Sequence, residues 1–365
     1  MMFAKDEEVQ KLRRWILSTN LQDALALLGS SMSNLESRFV FVQRDIEAAH
    51  EAFEKFNTAV NGVLADQTRA KRVDDDLELH EQARELYYYV LECISRLASL
   101  TEILLLYYGS LRLGAKQLSR VLTERWAIDF SKEEARIGRL RLNDVEKDFR
   151  FPEVSDYDCT YEEKSLLRRV LRRTAGSLRS NLRTLVAFRR SFAVVYNKYK
   201  HALVETVHMY SVVRSGGTTS CIPQVYVRSK EKSSRSGRNK VFTYVVRVDF
   251  ALFDYLESVI ASFSTVMVSL IDGHLQWLLN AGESPFPLKV DAREDELKEI
   301  AKIVDRQSGS RHRNFSGQIR LVWKPRAVAR VERQLHNRHI ARLDQDLMDP
   351  RKLRRFKASL APSPT

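Results

Sequence analysis

The sequence predicts a mainly α fold: a helical bundle with one inserted β-hairpin and a basic C-terminal extension. Three observations carry that expectation. No proline occurs before Pro152, so nothing ahead of it removes a helix hydrogen bond. Three stretches have the capping-box spacing, in which a hydroxyl accepts a backbone N–H and a glutamate reaches back: Ser33 to Glu36, Ser131 to Glu134 and Thr160 to Glu163. Apolar residues recur at helical spacing through Leu77, Leu86, Val90, Ile94, Leu97, Leu100 and Leu104.

In chain order, residues 1–151 read as an N-terminal helical bundle. Asp74-Asp75-Asp76 marks a helix start, where acids favour the positive end of the dipole. Tyr87-Tyr88-Tyr89 reads as packing, and Gly109, after Leu104 to Tyr108, as a helix stop. Phe151-Pro152 through Cys159 is a linker. Thr160 then opens a helix expected to run to about Tyr210, closed by Gly216-Gly217. Cys221–Arg228 and Val241–Val248 alternate and are rich in β-branched and aromatic residues, so residues 221–248 read as a hairpin with a basic loop over Ser229–Lys240. Phe250 to Asn280 is helical and apolar enough to be central. These elements make a second region, 160–281. Ser284-Pro285-Phe286-Pro287 marks a boundary, and 282–365 forms the basic extension, with a helix over Asp291–Lys302 and a short strand over Gln318–Trp323.

Composition narrows the function classes. The 365 residues are 44% hydrophobic, enough for one large or two ordinary domains with a real core. The net charge of +13 points to acidic partners. It is concentrated: Arg306–Lys357 holds 15 Lys and Arg against 4 Asp and Glu, and Glu162–His201 holds 11 against 2. The rest of the chain is net acidic. Cys93, Cys159 and Cys221 are sparse and odd in number, which fits a reducing compartment. Acids at Asp6, Glu7 and Glu8 stand where a secretory signal needs an apolar run. The uncharged run Ser258–Ile271 is too short to span a bilayer. A cytoplasmic protein with no membrane partner is therefore expected. His336 and His339 have metal-ligand spacing but lack a nearby cysteine or paired carboxylate, so neither metal nor cofactor is expected.

The segment 162–201 is the most informative. At about 100° per residue, Arg168, Arg172, Arg179, Arg183 and Arg190 share one face with Asn197 and His201. Leu167, Leu171, Leu178, Leu182, Leu185, Phe192, Tyr196 and Tyr199 gather opposite. Arginine suits an anion-binding stripe because its fork binds phosphate oxygens two at a time. His201 beside such a stripe can act as a general acid or base, with Asn197 orienting it. The plainer reading is a solvated charged face.

The run Tyr196-Asn197-Lys198-Tyr199-Lys200-His201 resembles the signature of the HEPN superfamily, helical bundles of toxins, abortive-infection proteins and RNA-processing factors. The family motif is arginine, a polar residue, three residues of any type, then histidine. Asn197 and His201 match; Tyr196 stands where the family has arginine. The resemblance implies RNA as partner and a homodimer. Its active members are metal-independent ribonucleases, which implies His201 assisting attack by a ribose 2′-hydroxyl. With Tyr196 at the arginine position, the missing charge falls to Lys198 and Lys200, or to Arg190 across a dimer, since within one helix Arg190 lies about 16 Å away. Two outcomes stay open, a ribonuclease and a non-catalytic RNA-binding descendant. The basic extension adds Arg326, Arg330 and Arg333 as contacts to RNA or another polyanion. The alternative from another class is a non-enzymatic helical protein–protein interaction module.

Overall fold

The computed structural model describes residues 21–66, 76–113, 130–200, 206–215, 218–232, 239–279, 286–287, 289–308, 320–321 and 340–343. The chain is mainly α, and its helices form a bundle. They are α1 (Leu21–Ala65), α2 (Leu77–Leu113), α3 (Phe130–Arg139), α4 (Leu142–Asp148), α5 (Tyr161–Ser191), α6 (Ala193–Lys200), α7 (Phe250–Leu279) and α8 (Glu294–Ser308). The strands are β1 (Thr206–Ser215), β2 (Thr218–Lys232), β3 (Asn239–Arg247), β4 (Lys289–Val290), β5 (Arg320–Leu321) and β6 (Ile340–Leu343). Two compact units are each discontinuous in sequence. The first combines Met1–Arg38, Leu100–Phe188 and Ser258–Ala327; the second combines Phe39–Ser99, Arg189–Glu257 and Val328–Thr365.

In the second unit α1 and α2 run antiparallel, with Arg96 paired to Asp45 and Lys55 to Glu85. Phe53 packs against Phe250 and Phe253 of α7, with ring centroids 5.0 and 5.1 Å apart. Asp76 caps α2 by accepting the Leu79 N–H at 3.3 Å. Tyr87 is fully buried and its hydroxyl accepts the Gln224 N–H at 3.2 Å, tying the sheet to α2, while Tyr88 is exposed.

The sheet departs from the expected single hairpin. It has four antiparallel strands in the order β1-β2-β3-β6. The helix expected to reach Tyr210 ends at Lys200, and Thr206–Ser215 is a strand paired with β2 over ten positions. The local sequence Thr206-Val207-His208-Met209-Tyr210-Ser211-Val212-Val213 is β-branched-rich, and a long cross-strand ladder outweighs its residual helical pattern. Ser215 pairs with Thr218, so the chain ahead of position 216 is strand and not the end of a helix, and Gly216-Gly217 lies outside the described residues. The β2–β3 ladder extends to Lys232 opposite Asn239, well into the expected loop.

In the first unit, α2 passes through Gly109 to Leu113. That glycine is needed for approach and not for termination: a Cβ there would meet the Glu133 side chain at 3.0 Å. Glu133 is buried and pairs with Arg136, which also reaches Asp148 and stacks 4.9 Å from the Tyr108 ring. Tyr108 donates its hydroxyl hydrogen to Asp148 at 2.6 Å. Ser33 lies inside the unbroken α1, so that capping-box match starts no helix, whereas Ser131 lies in the first turn of α3. β4 and β5 pair in parallel. The stretch Phe250–Leu270 of α7 is long and apolar enough to cross a membrane by length and composition, contrary to the shorter run read from the sequence. In the structure 56% of that stretch is buried within the protein, as a core helix would be.

Candidate anion-binding face and cleft

Helix α5 begins as its sequence dictates. The Thr160 hydroxyl accepts the Glu163 N–H at 3.3 Å, and Glu163 accepts the Thr160 N–H at 2.9 Å. Glu163, also bonded by Arg306, has its carboxyl lowered by the Thr160 amide first and then by that guanidinium. Leu167, Val170, Leu171, Leu178, Leu182 and Leu185 are buried along one face. The helix is continuous through Gly176, where an added Cβ would meet only Leu142 at 3.9 Å.

The arginines of the first unit's part of α5 divide into two groups. Arg169 and Arg173 both pair with Glu296, and Arg173 Nε donates to the Asp291 carbonyl at 3.0 Å. Glu296 is almost fully buried, which by itself would raise its carboxyl. The Arg173 hydrogen bond, the Arg293 amide and both guanidinium charges outweigh burial and hold it at about 2. Nearby, the Thr174 hydroxyl accepts the Asp291 N–H at 2.9 Å, and Ser177 donates to the Asp291 carboxylate. Arg183 donates to the Gly138 carbonyl at 3.1 Å. By contrast, Arg168, Arg172 and Arg179 make no hydrogen bond or ion pair to any other described residue. Arg168 and Arg172 are exposed and one turn apart.

Those two side chains line an open cleft of about 510 Å³ together with Lys147, Glu146, Glu153 and Ser155. Its floor is the end of α4. There the Phe151 N–H donates to the Glu146 carbonyl at 2.8 Å and the Arg150 N–H to the Lys147 carbonyl at 3.2 Å, a Schellman pattern. Arg150 takes the left-handed position at φ 56° that glycine usually fills. A Val154–Asp156 3-10 turn forms the next part of the wall. Burial raises the Glu146 carboxyl above its ordinary value, and Arg172 across the cleft partly offsets it. The two charges are near enough to interact, yet no ion pair closes between them among the described residues.

The motif turn belongs to the second unit. Regular helix is interrupted for one residue at Phe192, between α5 and α6. Tyr196 donates its N–H to the Phe192 carbonyl at 2.9 Å and is buried, 5% exposed. The Arg189 guanidinium lies 5.0 Å over its ring, a cation–π contact. Arg190 and Asn197 are exposed. The backbones of Lys198 and Lys200 complete α6, while His201, Arg326, Arg330, Arg333, His336 and His339 lie outside the described residues. Arg189 was missed by the sequence reading; its seven-residue spacing to Tyr196, two helical turns, is the signal that places the pair together.

No cluster of three metal-ligating side chains occurs among the described residues. The Cys93 thiol is buried and pushed up by that burial, which makes it a poor nucleophile. The chain matches no family model, no curated protein and no solved structure.

Proposed function

We propose that the protein binds RNA, without cleaving it, through phosphate contacts along α5. The observation that carries the reading is the division of the α5 arginines. Arg169, Arg173 and Arg183 are engaged by protein acceptors, whereas Arg168, Arg172 and Arg179 have no described acceptor. An exposed guanidinium with no acceptor among the described residues, as at Arg168 and Arg172, is well suited to a phosphate, which it grips with two parallel bonds. The net charge of +13 supports long-range attraction of the same ligand. Binding is favoured over cleavage because the position at which the HEPN family carries arginine holds the buried Tyr196, already covered by Arg189.

The test is RNA affinity against salt. Each phosphate contact to a single strand contributes about 0.7 to the log–log slope, so replacing Arg168, Arg172 and Arg179 together by alanine lowers the slope by about 2. Negligible RNA affinity of the unmodified protein at about 50 mM salt, where phosphate contacts are strongest, overturns the proposal. RNA cleavage that disappears in a folded His201→Ala protein overturns its non-catalytic part.

A further inference from the structure

We infer that the cleft between the end of α4 and the start of α5 is a binding site for a nucleoside monophosphate group. The inference rests on reading the α5 arginines as anion contacts and specifies what one end of that face takes. The cleft holds charges of both signs. Arg168, Arg172 and Lys147 supply three cations, and Glu146 and Glu153 supply two carboxylates. A bare inorganic anion uses only the first set and meets repulsion from the second. A nucleotide uses both: its phosphate takes the guanidinium forks, and its ribose hydroxyls donate to carboxylate oxygens.

Three further observations fit this ligand class. The volume of about 510 Å³ lies within the range of small-molecule sites, roughly 300–1,000 Å³. Arg172 and Glu146 face the same space without forming an ion pair with each other, which leaves both available to a bridging ligand. The floor is rigidly built, since both Schellman bonds are made and a non-glycine residue, Arg150, is held at positive φ. Backbone held this way keeps Glu146 and Lys147, neighbours at the end of α4, in fixed directions relative to the cleft.

The phosphate group can come from a free nucleotide or from the 5′ end of an RNA strand, and the experiment separates them. Affinities are measured by titration calorimetry for AMP and adenosine, and by fluorescence anisotropy for one short RNA with a 5′-phosphate or a 5′-hydroxyl. AMP is expected to bind at least about tenfold more tightly than adenosine, on the strength of charge-assisted hydrogen bonds. The same preference for the 5′-phosphorylated strand assigns strand ends as ligand; a preference confined to AMP assigns the free nucleotide. Replacing Arg168 and Arg172 by alanine abolishes the preference. Glu146→Gln with Glu153→Gln reduces the advantage of AMP over inorganic phosphate. The inference is overturned if neither phosphorylated probe outperforms its dephosphorylated control, or if AMP binds no better than inorganic phosphate. Salt-dependent binding of the 5′-hydroxyl RNA without any terminal-phosphate preference sinks this inference alone. AMP binding in a protein that ignores RNA at low salt sinks only the RNA reading.

Discussion

Two helical glycines make opposite predictions when replaced by alanine, and the opposition tests the packing described for the first unit. Gly273 lies in α7, and a Cβ built on it would stand 2.6 Å from the Phe149 carbonyl oxygen. Gly62 lies in α1, with nothing within 4 Å of the same added atom. Helix propensity alone stabilises both alanine variants by about 1 kcal/mol, because glycine loses more backbone freedom on folding. At Gly62 that term acts unopposed. At Gly273 the new methyl falls about 0.8 Å short of ordinary van der Waals contact, and the obstacle is backbone. Phe149 is the C-cap of α4, immediately before the Arg150 turn, so its carbonyl moves only if that turn moves. Overpacking of this kind costs about 1–3 kcal/mol, and the immobile obstacle favours the upper end. The net expectation is destabilisation by about 2 kcal/mol for Gly273→Ala and stabilisation by about 0.5–1 kcal/mol for Gly62→Ala.

Urea unfolding of the two variants beside the unmodified protein reads this directly. The midpoint shifts down for Gly273→Ala and up for Gly62→Ala, with unchanged m-values. A Gly273→Ala protein as stable as Gly62→Ala refutes the close approach of α7 to the end of α4. Because that end is the floor of the cleft, Gly273→Ala also weakens AMP binding under the cleft inference, whereas Gly62→Ala leaves it unchanged.

Two further perturbations follow from the same geometry. Glu296→Gln removes the shared acceptor of Arg169 and Arg173 and destabilises the protein at neutral pH by on the order of 2 kcal/mol, since breaking a buried pair strands its partner. The Glu296 carboxyl sits below its ordinary 4.5, at about 2, so its contribution is complete above about 4.5 and disappears as pH falls toward 2. Unfolding measured across that window is therefore less pH-dependent in Glu296→Gln, and an identical slope contradicts the assignment. Tyr196→Arg supplies the arginine of the HEPN motif that this run resembles but places a charge in a site only 5% exposed and already covered by a guanidinium. It is expected to destabilise by about 2–4 kcal/mol without producing RNA cleavage, and a stable, RNA-cleaving Tyr196→Arg protein contradicts the burial argument.

Much of the helical fold was legible because it is written in local chemistry. The Thr160–Glu163 box, the apolar stripe of α5 and the acid start of α2 each act within one or two turns, and each appears where its sequence put it. The failures share one physical cause, a distant partner. Gly109 resembles a helix stop until Glu133 is placed against it. Residues 206–215 pass for the tail of a helix until β2 offers ten paired positions. Ser33 has correct capping spacing, but capping needs an end, and it lies within continuous helix.

The candidate site has the same dependence on distance, and it decides which residues matter. Arg168 and Arg169 are adjacent, as are Arg172 and Arg173, and no property of the side chains distinguishes the members of either pair. Helix geometry turns neighbours about 100° apart. That rotation alone sends Arg169 and Arg173 toward Glu296, while Arg168 and Arg172 face the cleft. The position of Glu296 depends in turn on Asp291, whose N–H is held by the Thr174 hydroxyl and whose carboxylate is held by Ser177, both more than a hundred residues away in sequence. An arginine stripe read from sequence therefore overstates the available charge. Once protein acceptors are assigned, the arginines of this stretch with no acceptor among the described residues narrow to Arg168, Arg172 and Arg179, and the first two share the cleft with Lys147 from α4, a residue that no periodicity within α5 could supply.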